Sequence, residues 1–167
     1  MSVPIRRIFM NDSENTGCCP KFDPKPWDNQ TIIWLDKKFV RDSVRSLFHI
    51  PVNFGSVVIR NMKKIDFAGA VNTENLMLSD EKSLWGSDVY IAVNKEIPGA
   101  KNEKISGTFL TKVFEGPYRD AGKWAKEMDG YVKSKGKEIK KMYFWYTTCP
   151  KCAKIYGKNY VVIFAQI

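Results

Sequence analysis

The feature that most narrows what this chain can fold into is a corner. Ile105 to Phe114, rich in β-branched and aromatic residues, reads as a strand, Gly116-Pro117 follows, and Tyr118 to Lys135 has the spacing of an amphipathic helix. Proline cannot donate to a strand ladder and pushes the residue before it away from helical geometry, so the strand must stop on one side and the helix begin on the other. A weaker copy runs from Val44 to Met62. In it Phe48, Pro51 and Met62 stand 66 residues before Phe114, Pro117 and Met128, while Gly55 and Gly122 match only if one residue is inserted. A period shared by strand, corner and helix implies a duplicated supersecondary unit whose copies bury surface against each other.

Extending each copy gives strand, helix, strand, strand, twice. The first helix places Phe54, Val58, Met62 and Ile65 at helical spacing, with Val57 on the same side and Gly69 as its stop. Asp88 to Asn94 alternates as a strand, and Lys141 to Thr148 and Asn159 to Ile167 supply the last two. Leu76 to Leu78 reads as a short strand and Ser79 to Ser83 as a surface turn. Residues 1–30, with Pro4, Pro20, Pro24 and Pro26, read as an irregular arm pinned by Phe22 and Trp27. Residues 31–167 then form a single domain of repeat 1 (about 31–95) and repeat 2 (about 104–167). The expected class is α+β, two pseudo-twofold strand-helix-strand-strand modules forming a groove. In Met142-Tyr-Phe-Trp-Tyr146 both strand faces are large and aromatic, so one takes the helix and the other meets the partner unit or lines that groove.

The chain of 167 residues is 44% hydrophobic, yet no run approaches the roughly 20 apolar residues of a membrane span. Behind Arg6 and Arg7 the apolar run is only Ile8-Phe9-Met10, so export is not expected and the expected location is the cytoplasm. The net charge of +9 is scattered lysine. It favours weak attraction to polyanions but does not concentrate on one element, so sequence-specific nucleic-acid binding is not expected. Serine-hydrolase elbows, phosphate loops and dinucleotide glycine patterns are absent.

Several pieces of the chain resemble the DNA gyrase inhibitor-like (GyrI-like) small-molecule-binding domains, which also serve as effector-binding modules of drug-sensing regulators. These are Val113-Phe-Glu-Gly-Pro-Tyr118, the helix with Trp124, Gly136 after it, and Met142-Tyr143, within Thr31 to Ile167. Gly17-Cys-Cys-Pro20, Phe48-His-Ile-Pro51, Leu84-Trp-Gly-Ser-Asp-Val-Tyr-Ile91 and Tyr146-Thr-Thr-Cys-Pro-Lys-Cys-Ala153 are similar to small prokaryotic proteins labelled only as hydrolases. The resemblance implies a groove between two modules for flat, apolar, sometimes cationic compounds. It also implies that some members hydrolyse strained rings with pocket aromatics and a glutamate. The last strand here carries no acidic residue, its nearest polar position being Gln166, and no DNA-binding helical module is expected in front of the domain.

Trp85, Tyr90, Tyr118, Trp145 and Tyr146 are the candidate ligand-binding residues, since tyrosine and tryptophan join an apolar body to a polar tip. The leading expectation is a binder of a small apolar aromatic compound, including cationic ones. The alternative is a hydrolase of a strained or electrophilic small molecule, in which Glu115, with Tyr90 or His49, activates water. Burial beside Phe114 would bring Glu115 into general-base range, and Ser87 and Asp88 could add polar atoms to the rim. Cys18-Cys19 and Cys149-Pro-Lys-Cys152 offer four thiols for one zinc, a redox pair at Cys149 and Cys152, or a reduced tight loop. No cofactor is required by these readings, zinc is an option, and a zinc-stapled interaction protein is the third class. Ligand identity, turnover and oligomeric state stay open.

Overall fold

The computed structural model describes residues 19–48, 50–83 and 85–167. Strand β1 (Gln30–Leu47) leads through the two-residue β2 (Ile50–Pro51) to helix α1 (Phe54–Phe67), then β3 (Asn72–Ser83) and β4 (Gly86–Val93). The same order follows in β5 (Lys101–Glu115), a short 3-10 turn (Tyr118–Asp120), α2 (Ala121–Ser134) and β6 (Lys141–Tyr146). A further helix α3 (Pro150–Tyr156) precedes β7 (Tyr160–Gln166). The fold is α+β. Six strands form an antiparallel, barrel-like sheet in the order β1-β4-β3-β6-β7-β5, closed by pairing of β5 with β1, while β2 adds to the end of β1.

Closure gives the sheet an inside and an outside, and strand alternation sorts the side chains between them. The inside holds Trp34, Phe39, Leu76, Leu78, Tyr90, Phe109, Tyr143, Trp145 and Phe164. Trp34 and Phe39, five residues apart on one strand, would face opposite sides of a regular ladder. A shift of register between Trp34 and Lys37, with Asp36 at φ +50°, turns both inward. Ser106 Oγ accepts the Asp36 N–H at 2.8 Å and holds the bulge.

Outside, Leu110, Phe114, Phe144, Val161 and Ile163 pack on α2, whose buried stripe is Trp124, Met128 and Val132. Val40, Ile91 and Val93 pack with Ile65 of α1, and Val44 and Val89 pack with Val57. The buried positions of α1, Val57, Asn61 and Ile65, precede those of α2 by a constant step of 67 residues. The stops obey the same step. Gly69 (φ +60°) and Gly136 (φ +68°) take the left-handed geometry that ends a helix cheaply only in glycine. Ala70 N–H reaches Ile65 O at 3.0 Å, and Lys137 N–H reaches Val132 O at 3.2 Å.

The corners correspond less well than the 66-residue spacing implies. Phe114 is buried and stacks on Trp124 at 5.8 Å, whereas Phe48 is exposed beside Trp85 at 5.3 Å. Pro51 lies in β2 opposite Ser46, while Pro117 caps the 3-10 turn. The helices follow the step that matches Gly55 with Gly122, because the second corner spends one more residue before its helix.

Ahead of the barrel, Phe22 and Trp27 meet the ring of Trp145 edge-on at 5.4 and 5.0 Å, and Trp27 also touches Phe164. Thr111 Oγ1 donates to Trp27 O at 2.6 Å, and Asp28 Oδ1 accepts Val113 N–H at 3.0 Å. The arm therefore seals one end of the aromatic interior. Among the described residues no helix is long and apolar enough to cross a membrane.

Candidate functional site

At the other end of the barrel the interior turns polar. Arg41 follows Phe39 on the inner face of β1, Asp88 precedes Tyr90 on β4, and Lys141 precedes Tyr143 on β6, each two residues along its strand. Asp80 on β3 lies directly across from Asp88 on β4. Two carboxylates are thus placed side by side at the mouth, and each is met by a cation. Arg41 Nη2 donates to Asp88 Oδ2 at 2.9 Å and Nη1 to Glu103 Oε2 at 3.2 Å, and Ser43 Oγ donates to Asp88 Oδ1 at 3.0 Å. Lys141 Nζ lies 3.0 Å from Asp80 Oδ2.

Both cations also sit over phenol rings. Lys141 Nζ is 4.7 Å from the Tyr143 centroid and 5.4 Å from that of Tyr90, and the Arg41 guanidinium is 5.8 Å from Tyr90. Burial pushes the Tyr90 hydroxyl above its ordinary pKa, and the nearby Lys141 and Arg41 charges offset only part of that. The phenol stays protonated at neutral pH, able to donate. For Lys141 burial works against the charge, but hydrogen bonding with Tyr143 and Asp80 outweighs it and holds the ammonium above its usual value. The Asp80 side chain is 7% exposed, that of Asp88 15% and that of Arg41 39%, so Asp88 is the carboxylate nearer to water and Arg41 lies between it and solvent.

The residues singled out from sequence fall in separate places. Tyr90 is at this mouth. Trp145 is buried four residues along β6, beneath Phe22 and Trp27. Trp85 is exposed, in the turn between β3 and β4. Tyr118 and Tyr146 do meet, with ring centroids 5.5 Å apart, but on the outer face. There the Tyr118 hydroxyl donates to Thr148 O at 2.5 Å and the Tyr146 hydroxyl to Glu81. Burial, then the Glu81 charge, pushes the Tyr146 hydroxyl above its ordinary pKa. Glu115 is exposed at the end of β5 opposite Tyr160, not buried beside Phe114 as expected. His49 and Cys18 lie outside the described residues. Cys19, Cys149 and Cys152 converge, their sulfurs all within 4.8 Å of one another.

Sequence reading missed Arg41, Asp80, Glu103 and Lys141, and placed Asp88 only at a rim. The available signal was the inner-face alternation of β1, β4 and β6, where a charged residue stands two positions from an aromatic one each time.

A family model described as "Bacterial hydrolase" matches residues 9–167. The fold is similar to that of a hydrolase from Listeria innocua known from its crystal structure. The TM-score is 0.53 and the identity 10%, over 83% of this chain and 92% of that one. At that identity the likeness is one of fold. No curated protein matches the chain.

Proposed function

The chain belongs to the bacterial hydrolase family, and we propose that it hydrolyses a small electrophilic compound at the barrel mouth. In this reading Asp88 activates the attacking water and Tyr90 stabilises the oxygen that gains charge. Water adds to the electrophilic carbon as its proton passes to Asp88, the strained-ring or ester C–O bond breaks, and that proton returns to the released oxygen. A protonated phenol suits the second role because it donates a hydrogen bond without changing charge. Arg41 and Lys141 cover the phenol ring, so substrate reaches it by displacing them, and the aromatic floor beneath selects an apolar body.

One observation carries the reading: two ion-paired carboxylates sit on facing strand positions above a buried phenol. Titratable groups gathered in this way, with the phenol held protonated by burial, are candidates for a reactive site. The likeness to GyrI-like domains belongs to the same reading. It is supported by the strand-helix-strand-strand order running twice, and by a strand order that maps onto itself when the two halves are exchanged. Plain capture of an aromatic compound has less support, because the aromatic residues nominated for it do not share one wall.

The test is turnover of small epoxides and activated aryl esters, followed by mass spectrometry. Asp88→Asn and Tyr90→Phe should each lower kcat by about 100-fold or more with the melting transition retained, while Glu115→Gln should leave it unchanged. Loss with Glu115→Gln and full activity in Asp88→Asn would move the site to the end of β5.

A further inference from the structure

We propose that Cys19, Cys149 and Cys152 bind a zinc ion that staples the N-terminal arm to the barrel and keeps its aromatic end sealed. Cys149 is the last residue before α3 and Cys152 lies in its first turn, so one short segment presents two sulfurs on the same side. The third comes from a residue 130 positions away in sequence, on the arm. The three sulfurs lie within 4.8 Å of one another. In a tetrahedral zinc site, bonds of about 2.3 Å place sulfurs about 3.8 Å apart, so the three sulfurs lie close to three corners of that geometry, with a water as the fourth ligand.

The surroundings favour a soft cation. Cys152 is fully buried and the other two are half-buried, which gives an enclosed site of thiols alone among the described residues. A disulfide joins two sulfurs and would leave the third beside it without a purpose, whereas a metal uses all three. The backbone is already arranged for the arm to stay: Cys149 N–H points at Cys19 Sγ at 3.4 Å, and the Tyr156 hydroxyl donates to Cys19 O at 2.5 Å. Zinc binding releases the thiol protons to solvent and adds its binding free energy to folding.

The consequence lies three residues on. Phe22 packs on Trp145 and Tyr160, and Trp27 packs on Trp145 and Phe164, so whatever fixes Cys19 fixes the seal over the aromatic interior. This inference stands apart from the chemistry at the opposite mouth, because its readouts are metal content and arm accessibility.

Protein purified without added metal is analysed for zinc and then, after chelation, titrated with cobalt(II) alone. About one equivalent of zinc is expected, and the cobalt form should show the intense thiolate charge-transfer and visible bands of a tetrahedral sulfur site. Chelation should shift tryptophan emission to the red and speed tryptic cleavage after Lys21 by about tenfold or more. Cys152→Ser tests the buried ligand; if that variant does not fold, Cys19→Ser, on the half-buried arm, is decisive and should lose most of the zinc and open the arm as chelation does. Zinc below about a tenth of an equivalent with no cobalt–thiolate band, or full zinc retention in Cys19→Ser, would overturn the proposal.

Discussion

The outer faces of the two halves solve one packing problem with different chemistry. On α2 the middle buried position is Met128, an apolar side chain against Phe144 and Val161, and on α1 the corresponding position is Asn61. Asn61 Nδ2 donates to Val57 O at 2.8 Å and to Asp42 Oδ2 at 2.6 Å, and Arg60 reaches the same carboxylate at 2.6 Å. Burial opposes the charge of Asp42, but the hydrogen bonds of Arg60, Asn61 and the Ser43 N–H outweigh it and hold its carboxyl below the usual range. A hollow of about 330 Å³ opens beside this network, lined by Arg60, Asn61 and Lys64 among others. A helix can therefore be anchored by filling space or by satisfying a buried carboxylate, and the two anchors should fail differently.

The largest effect should come from emptying the apolar anchor. Met128→Ala is expected to cost about 2–5 kcal/mol in denaturant unfolding, from lost transfer energy and the cavity left behind. Val57→Ala, on the polar side, should cost only about 1.5 kcal/mol. Equal losses would erase the contrast between the two faces.

Next comes the polar anchor. Asn61→Leu removes one donor to Asp42 and should cost about 1–2 kcal/mol at neutral pH. The sign of its pH dependence is fixed. A carboxyl with a depressed folded-state pKa contributes stability above the ordinary aspartate value of about 3.9, and loses it as pH falls through the folded value. The gap between wild type and Asn61→Leu should therefore narrow in acid. A gap independent of pH would mean that Asn61 acts through packing alone.

The smallest effect has the opposite sign. A Cβ added at Gly130, inside α2, would meet no heavy atom within 4 Å, so Gly130→Ala should stabilise by up to about 1 kcal/mol by lowering the backbone entropy lost on folding. Any loss of stability there would show that α2 lies closer to a neighbour than its open flank implies.

How much of this was legible from sequence depends on the range of the interaction. Local signals worked in part: the α2 stripe, both stop glycines and the alternation of β6 follow from periodicity and the left-handed glycine, whereas the α1 stripe expected over Phe54, Val58, Met62 and Ile65 is turned onto Val57, Asn61 and Ile65, with Phe54 exposed. Helix α3, after the Cys-x-x-Cys turn, is too short to show a periodic stripe, and its stop is Gly157 with φ +69°. The bulge at Asp36 could not be read, because it depends on Ser106 of a strand 70 positions away. Without it Trp34 and Phe39 cannot both be placed inside. Glu81 looked like part of a surface turn because Ser79 to Ser83 is polar; it lies on β3, an element kept in place by its pairing with β4 and β6. The aromatic surplus of β6 was visible, but sequence could not tell a ligand wall from an interior plugged by the chain's own Phe22 and Trp27.

The position of β7 in the barrel has a bearing on the birth of the molecule. It follows β6 in chain order, yet it sits between β5 and β6 and pairs with both. Until Tyr160–Gln166 has left the ribosome, the ring has a gap, and Phe109, Trp145 and the β1–β5 seam, which joins Gln30 to Thr111, have no complete enclosure. Folding is held back to a late, nearly all-or-none step dominated by contacts distant in sequence, which makes it slow. A nascent chain of this design keeps its aromatic residues uncovered until β7 emerges, and is a natural client for chaperones that shield apolar segments.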